Sequence, residues 1–64
     1  MKRKEIKKYA EKIAACEKVI ESNEDEDMVS QAKEMILKYT KQITDPLDLL
    51  AIDELVMEIL NKQS

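Results

Sequence analysis

Asp45-Pro46-Leu47-Asp48-Leu49-Leu50-Ala51-Ile52-Asp53-Glu54-Leu55-Val56-Met57-Glu58-Ile59-Leu60 is the stretch on which the fold turns. Its punctuation comes first. Proline suits the first position of a helix, where its missing N–H is not needed, and it pushes the preceding residue out of the helical region. Asp45 therefore fits the N-cap, with Asp48 three residues on in the place of a capping-box partner. The spacing predicts a helix over 46–61. On a wheel of about 100° per residue, Leu55, Ile59, Ile52, Val56, Leu49 and Leu60 cover about 140°. Leu50 and Met57 add a second ridge beyond Asp53, and the polar arc is left to Glu54, Glu58, Asn61 and Lys62. This helix carries more apolar surface than two short neighbours can cover.

Working backwards, Val29, Ala32, Ile36, Tyr39 and Ile43 recur at spacings of 3 and 4 and predict a second helix over 25–42, its stripe widened by Met28 and Met35. Leu37 lies off that stripe and is expected to be exposed. Ahead of it, Ile6, Tyr9, Ile13, Cys16 and Ile20 predict a first helix over 4–21, bordered by Ala10 and Ala14. Ser22-Asn23 breaks it, since Asn tolerates the left-handed conformation that often ends a helix. The acids Glu24-Asp25-Glu26-Asp27 read as a helix start, with Ser22, Asn23 or Asp25 as cap and the negative charge on the positive end of the helix dipole. A calcium loop of the EF-hand type would need a Gly at its turn, and the chain has no Gly.

The whole chain obeys the same logic. Its 64 residues set one domain, 1–64, as the ceiling. No Gly, one Pro, 44% hydrophobic and 39% charged residues argue against the tight turns of β-hairpins and for helices. The connections are two to four residues long, which suits antiparallel neighbours. The expected fold is all-α, an up-down-up three-helix unit. So small a core needs help, and the second ridge of the third helix needs cover. Doubling into a dimeric helical bundle supplies both, and symmetric dimers are the commonest oligomer. The candidate interface is Leu49, Leu50, Ile52, Val56, Met57, Ile59 and Leu60, with the seam on the Leu49/Ile52/Val56/Ile59 side or on the Leu50/Met57 ridge.

Net charge is −3, and it is segmented: +4 over residues 1–20, −5 over 21–30, +2 over 31–43 and −4 over 44–64. An antiparallel arrangement could lay opposite signs side by side. The longest apolar run, Leu49 to Ile52, is far short of the roughly 20 residues that span a bilayer, and the basic start is not followed by an apolar signal-peptide segment. A cytoplasmic protein with no membrane role is expected.

Catalytic chemistry finds little to work with. Ser22, Ser30 and Ser64 have no His to activate them, because the chain has none. Cys16 lies on an apolar stripe and reads as a small buried hydrophobe that cannot form an intrachain disulfide. Asp53, Glu54 and Glu58 read as a solvated face, since bundle metal sites of the di-iron kind pair their Glu residues with His. No cofactor or metal is expected, and no enzyme activity. Lys4, Lys8 and Lys12 form a basic ridge, joined by Lys2, Arg3 and Lys7, which could bind phosphate. Against nucleic acid stand a pI near 4.9, a single Arg and the lack of Asn or Gln beside the cluster to read bases.

The run Asp48-Leu-Leu-Ala-Ile-Asp-Glu-Leu-Val-Met-Glu-Ile-Leu60, with the opening Lys4-Glu-Ile-Lys-Lys-Tyr-Ala-Glu-Lys-Ile13, resembles small helical accessory proteins of phages and mobile elements in Gram-positive bacteria. The resemblance implies a compact protein that acts by binding, on a host factor. The function expected is a non-enzymatic protein–protein interaction module, homodimeric, with an unidentified protein partner. The alternative is a small DNA- or RNA-associated regulator using the basic first helix.

Overall fold

The computed structural model of the chain describes residues 1–22 and 25–63. It is all-helical among those residues: α1 (Arg3–Ser22), α2 (Glu26–Gln42) and α3 (Pro46–Gln63). The starts of α2 and α3 follow from their aspartates. The Asp25 carboxylate accepts from the backbone N–H of Asp27 at 3.0 Å, and that of Asp45 accepts from Leu47 N–H at 2.9 Å. Each thereby satisfies one of the donors a helix leaves orphaned in its first turn. Asp25 is the cap and not the first residue of α2, and Asp48 turns to the Met1 α-amino group, 3.4 Å away, instead of completing a capping box. Ser22 stays helical, its hydroxyl donating to the Lys18 carbonyl. Asn23 and Glu24, where the break was expected, lie outside the described residues. At the other end α2 stops without a left-handed residue. Ile43 is extended, and its N–H closes the last turn on the Thr40 carbonyl at 3.2 Å.

Tyr9 of α1 meets Tyr39 and Gln42 of α2, so the two run antiparallel. On the other flank, Arg3, Lys7 and Glu11 share a surface groove with Glu54, Glu58 and Lys62, so α3 runs back alongside α1 in the same direction. The up-down-up order follows. The expected pairing of opposite charges is corrected for α1 and α2. Their antiparallel packing brings the basic start of α1 to the end of α2 that carries Lys38 and Lys41. The complement lies on the α1–α3 flank.

Two small residues occupy the middle. Ala10 is fully buried and Ala14 nearly so, where the sequence pattern had set them at the border of the stripe. Without side chains to hold helices apart, they let neighbours approach α1 closely, and packing density rewards that. Around them Ile13, Ile43, Ile52 and Val56 complete the core, flanked by half-buried Ile6, Tyr9, Ile36, Tyr39, Leu49, Leu55, Ile59 and Leu60. Cys16 and Ala32 are buried apart from that cluster, on the α1–α2 flank.

The bundle is open. α1 packs against both other helices, whereas α2 and α3 barely touch each other. The extents of 34 × 25 × 15 Å reflect that flattening. Burial is deepest from Ala10 to Cys16 on α1, at Ile52 and Val56 on α3 and at Ile43 in the 43–45 link, with Ala32 buried again midway along α2. The three-residue link 43–45 joins α2 to α3.

Candidate functional site

The seven candidate interface residues of α3 divide into three groups. Ile52 and Val56 belong to the chain's own core, with Ile52 0% exposed, and this corrects their placement at an intermolecular seam. A side chain already sealed against α1 has no surface to offer a partner. Leu49, Ile59 and Leu60 are half-buried and pack against the same core. Leu50 and Met57 are open, at 57% and 67% exposure, and Leu47 is more so, at 74%. Because α3 turns Ile52 and Val56 inward, Leu50 and Met57, roughly 100–160° away on the wheel, fall on its outer flank. Leu47 was missed as a surface residue. Its place just after Pro46 and off both ridges was the available sign.

Lys4, Lys8 and Lys12 are all exposed on α1. Lys12 is partly engaged, since its Nζ lies 5.6 Å from the centroid of the Tyr39 ring, within the range of a cation–π contact. Tyr39 in turn stands edge-on to Tyr9, centroids 6.0 Å apart at 72°, and the Tyr9 hydroxyl donates to Gln42 Oε1 at 2.9 Å. Lys8 and Lys12 line a shallow cleft of about 300 Å³ with these groups and with Glu5. The two tyrosines are fastened to the α1–α2 seam, and the carboxylate of Glu5 sits among the cations. Lys12 thus helps hold the α1–α2 flank as well as facing solvent.

Cys16 lies at the floor of a groove with Val19, Met28, Ala32 and Met35. Burial, with a smaller contribution from the neighbouring Glu17 carboxylate, pushes its thiol above the ordinary range, which holds it in the unreactive protonated form. Among the described residues no cluster of three or more His, Cys, Asp or Glu could hold a metal ion, and no helix is long and apolar enough to cross a membrane. Asp53, Glu54 and Glu58 are exposed. The hydroxyls of Ser22 and Thr40 are turned onto backbone carbonyls of their own helices.

Comparison with known proteins adds no relative: no family model matches the chain, nor does any curated protein or solved structure.

Proposed function

We propose that the chain is a non-enzymatic protein-binding module of the cytoplasm, acting by covering or scaffolding a protein surface. The observation that carries this reading is the outer flank of α3, where Leu50 and Met57 stand in water on a helix whose opposite ridge already fills the core. Exposed apolar patches on small domains mark interaction sites. The resemblance to small helical accessory proteins of phages and mobile elements points the same way and suggests a host protein as the target. Affinity capture from a Gram-positive bacterial lysate tests it, using the parent and a Leu50→Asp/Met57→Asp variant with helicity monitored by circular dichroism. A protein retained by the parent and lost by the folded variant supports the reading. Equal capture by both overturns it.

The second reading, a DNA- or RNA-associated regulator, is favoured by one observation: Lys4, Lys8 and Lys12 share one exposed face of α1. Titration against duplex and single-stranded DNA at two salt concentrations separates the two. Phosphate binding would weaken steeply with salt and vanish when the three lysines become Gln.

A further inference from the structure

The packing of α2 against α1 builds a basic face that neither helix has alone. Lys4, Lys8 and Lys12 follow one another at one-turn spacing on α1, over about 12 Å. The two helices are antiparallel, with Tyr9 on Gln42 and Lys12 over the Tyr39 ring, so Lys38 comes level with Lys12 and Lys41 with Lys8. Lys38 is one turn before Gln42, which lines the cleft together with Lys8 and Lys12, and so it stands on the α2 rim of that cleft. Lys41, three residues on, is its neighbour on the same side. All five lysines are exposed, and among the described residues none of them forms an ion pair.

Two acids share the face, Glu5 in the cleft and Glu34 one turn from Lys38, so cations prevail by five to two. Glu11 lines the groove on the other flank of α1, and the acids of α3 and of the α2 start lie away from the cleft. A net charge of −3 for the chain conceals this segregation.

The face suits an array of phosphates. Lysine binds phosphate as a mobile point charge, and packed helices set the two rows roughly 8–10 Å apart. The rows flank a cleft, which fits the ridge of a backbone better than the plane of a lipid surface. The floor narrows the choice further. Tyr9 and Tyr39 stand edge to face, with Tyr9 bonded to Gln42 and Tyr39 under Lys12. Neither offers an open ring on which an unpaired base could stack, the contact that single-strand binders use. Gln42 is the amide that the fold brings beside the lysines. Its Oε1 is taken by Tyr9, so it lacks the free bidentate edge that reads adenine.

We propose that the outer face of α1 and α2 holds the phosphate backbone of a double-stranded nucleic acid without reading its sequence, with Lys4, Lys8 and Lys12 on one side of the backbone and Lys38 and Lys41 on the other. This rests on the reading of α1 as a phosphate-binding ridge, extends that site to a second helix and favours duplex over single strand. It shares no residue with the Leu50 and Met57 flank.

Fluorescence anisotropy of a labelled duplex DNA of about 20 base pairs, titrated with the full chain from about 20 to 200 mM salt, tests it, with circular dichroism on every variant. Five phosphate contacts should make log K fall with log salt at a slope of about −4 to −5. Lys38→Gln combined with Lys41→Gln should reduce that slope by about 2 and weaken binding at least about tenfold at the lowest salt, with helicity retained. Lys33→Gln combined with Lys62→Gln removes two cations away from the face and should leave both values as in the parent. A Lys38/Lys41 variant that binds as tightly as the parent, while Gln at Lys4, Lys8 and Lys12 abolishes binding, overturns the two-helix face and leaves the one-helix ridge standing. A parent that binds no duplex at about 20 mM salt overturns both. Single-stranded DNA of the same length bound as tightly as the duplex overturns the choice of partner. So does binding to phosphatidylserine vesicles or to polyglutamate where the duplex is not bound.

Discussion

α3 carries two apolar ridges of similar chemistry and opposite fate. Ile52 and Val56 are sealed against α1, while Leu50 and Met57, on the same four turns of helix, lie in water. Hydrophobicity alone did not sort them. What sorted them is the shape of the partner. Ala10 and Ala14 make a shallow surface on α1, against which the β-branched Ile52 and Val56 can seat closely. The ridge left over is thus defined by the fit of the other one. That relation can be broken or sharpened by mutation.

The largest effect is expected on the inner ridge. Ile52→Ala removes the one large side chain that is fully buried among the described residues and should cost about 2–5 kcal/mol. A domain of this size holds only about 3–10 kcal/mol in total, so urea denaturation should find the variant barely folded or unfolded. A midpoint unchanged from the parent would mean the core is not where it is described. Next comes the wall against which that ridge seats. Ala14→Leu overfills the α1 surface and should destabilise by about 1–3 kcal/mol, read from the same denaturation curve. If it stabilises, the close approach of helices at Ala10 and Ala14 is not what orders the two ridges.

Smaller effects test the cap of α3. Asp45→Ala leaves the Leu47 N–H without its acceptor and should cost about 1 kcal/mol, visible as a lower thermal midpoint. On the opposite flank of α1, Cys16 supplies a pH test. Its folded thiol ionises above the unfolded one, so the folded state holds the proton more tightly. Stability should be flat below the ordinary thiol range of about 8.5 and decline as pH rises through it. Cys16→Ala should remove that decline. The smallest effect belongs to the outer ridge, where Leu50→Ala should leave the stability of the isolated monomer within about 0.5 kcal/mol. A larger loss at concentrations where the chain is monomeric would place Leu50 in the fold after all.

Much of this was written plainly in the residues. The three helices begin and end within two residues of where periodicity and punctuation set them. Asp45 caps as its position suggested, Asp25 is the one of three candidates that caps α2, and Leu37 is exposed as its place off the stripe required. Two features were harder to read. Periodicity weighs large side chains, so Ala10 and Ala14 looked peripheral, although close packing puts the smallest residues at the helix crossing. The choice between the ridges of α3 was also hidden, because a wheel records angles and not the depth of the opposing surface. The direction of α3 beside α1, and with it the pairing of Arg3 and Lys7 with Glu54 and Glu58 on one flank, depends on the link geometry and not on charge order alone.

The scarcity of contact between α2 and α3 has a dynamic consequence. Two outer helices that meet only through a shared middle one can come away separately, each exposing its own side of α1 while the other stays docked. Openings of this sub-global kind need less free energy than complete unfolding. Amide protons at the N-terminus of α2 and the C-terminus of α3 should therefore exchange with solvent fastest among the helices. Those of Ala10 to Ala14 should exchange slowest, because both flanks must leave before that stretch is bare. Any molecule that bridges α2 and α3 would link the two openings into one and slow exchange in both helices together, a signature that reports its binding without knowledge of what it is.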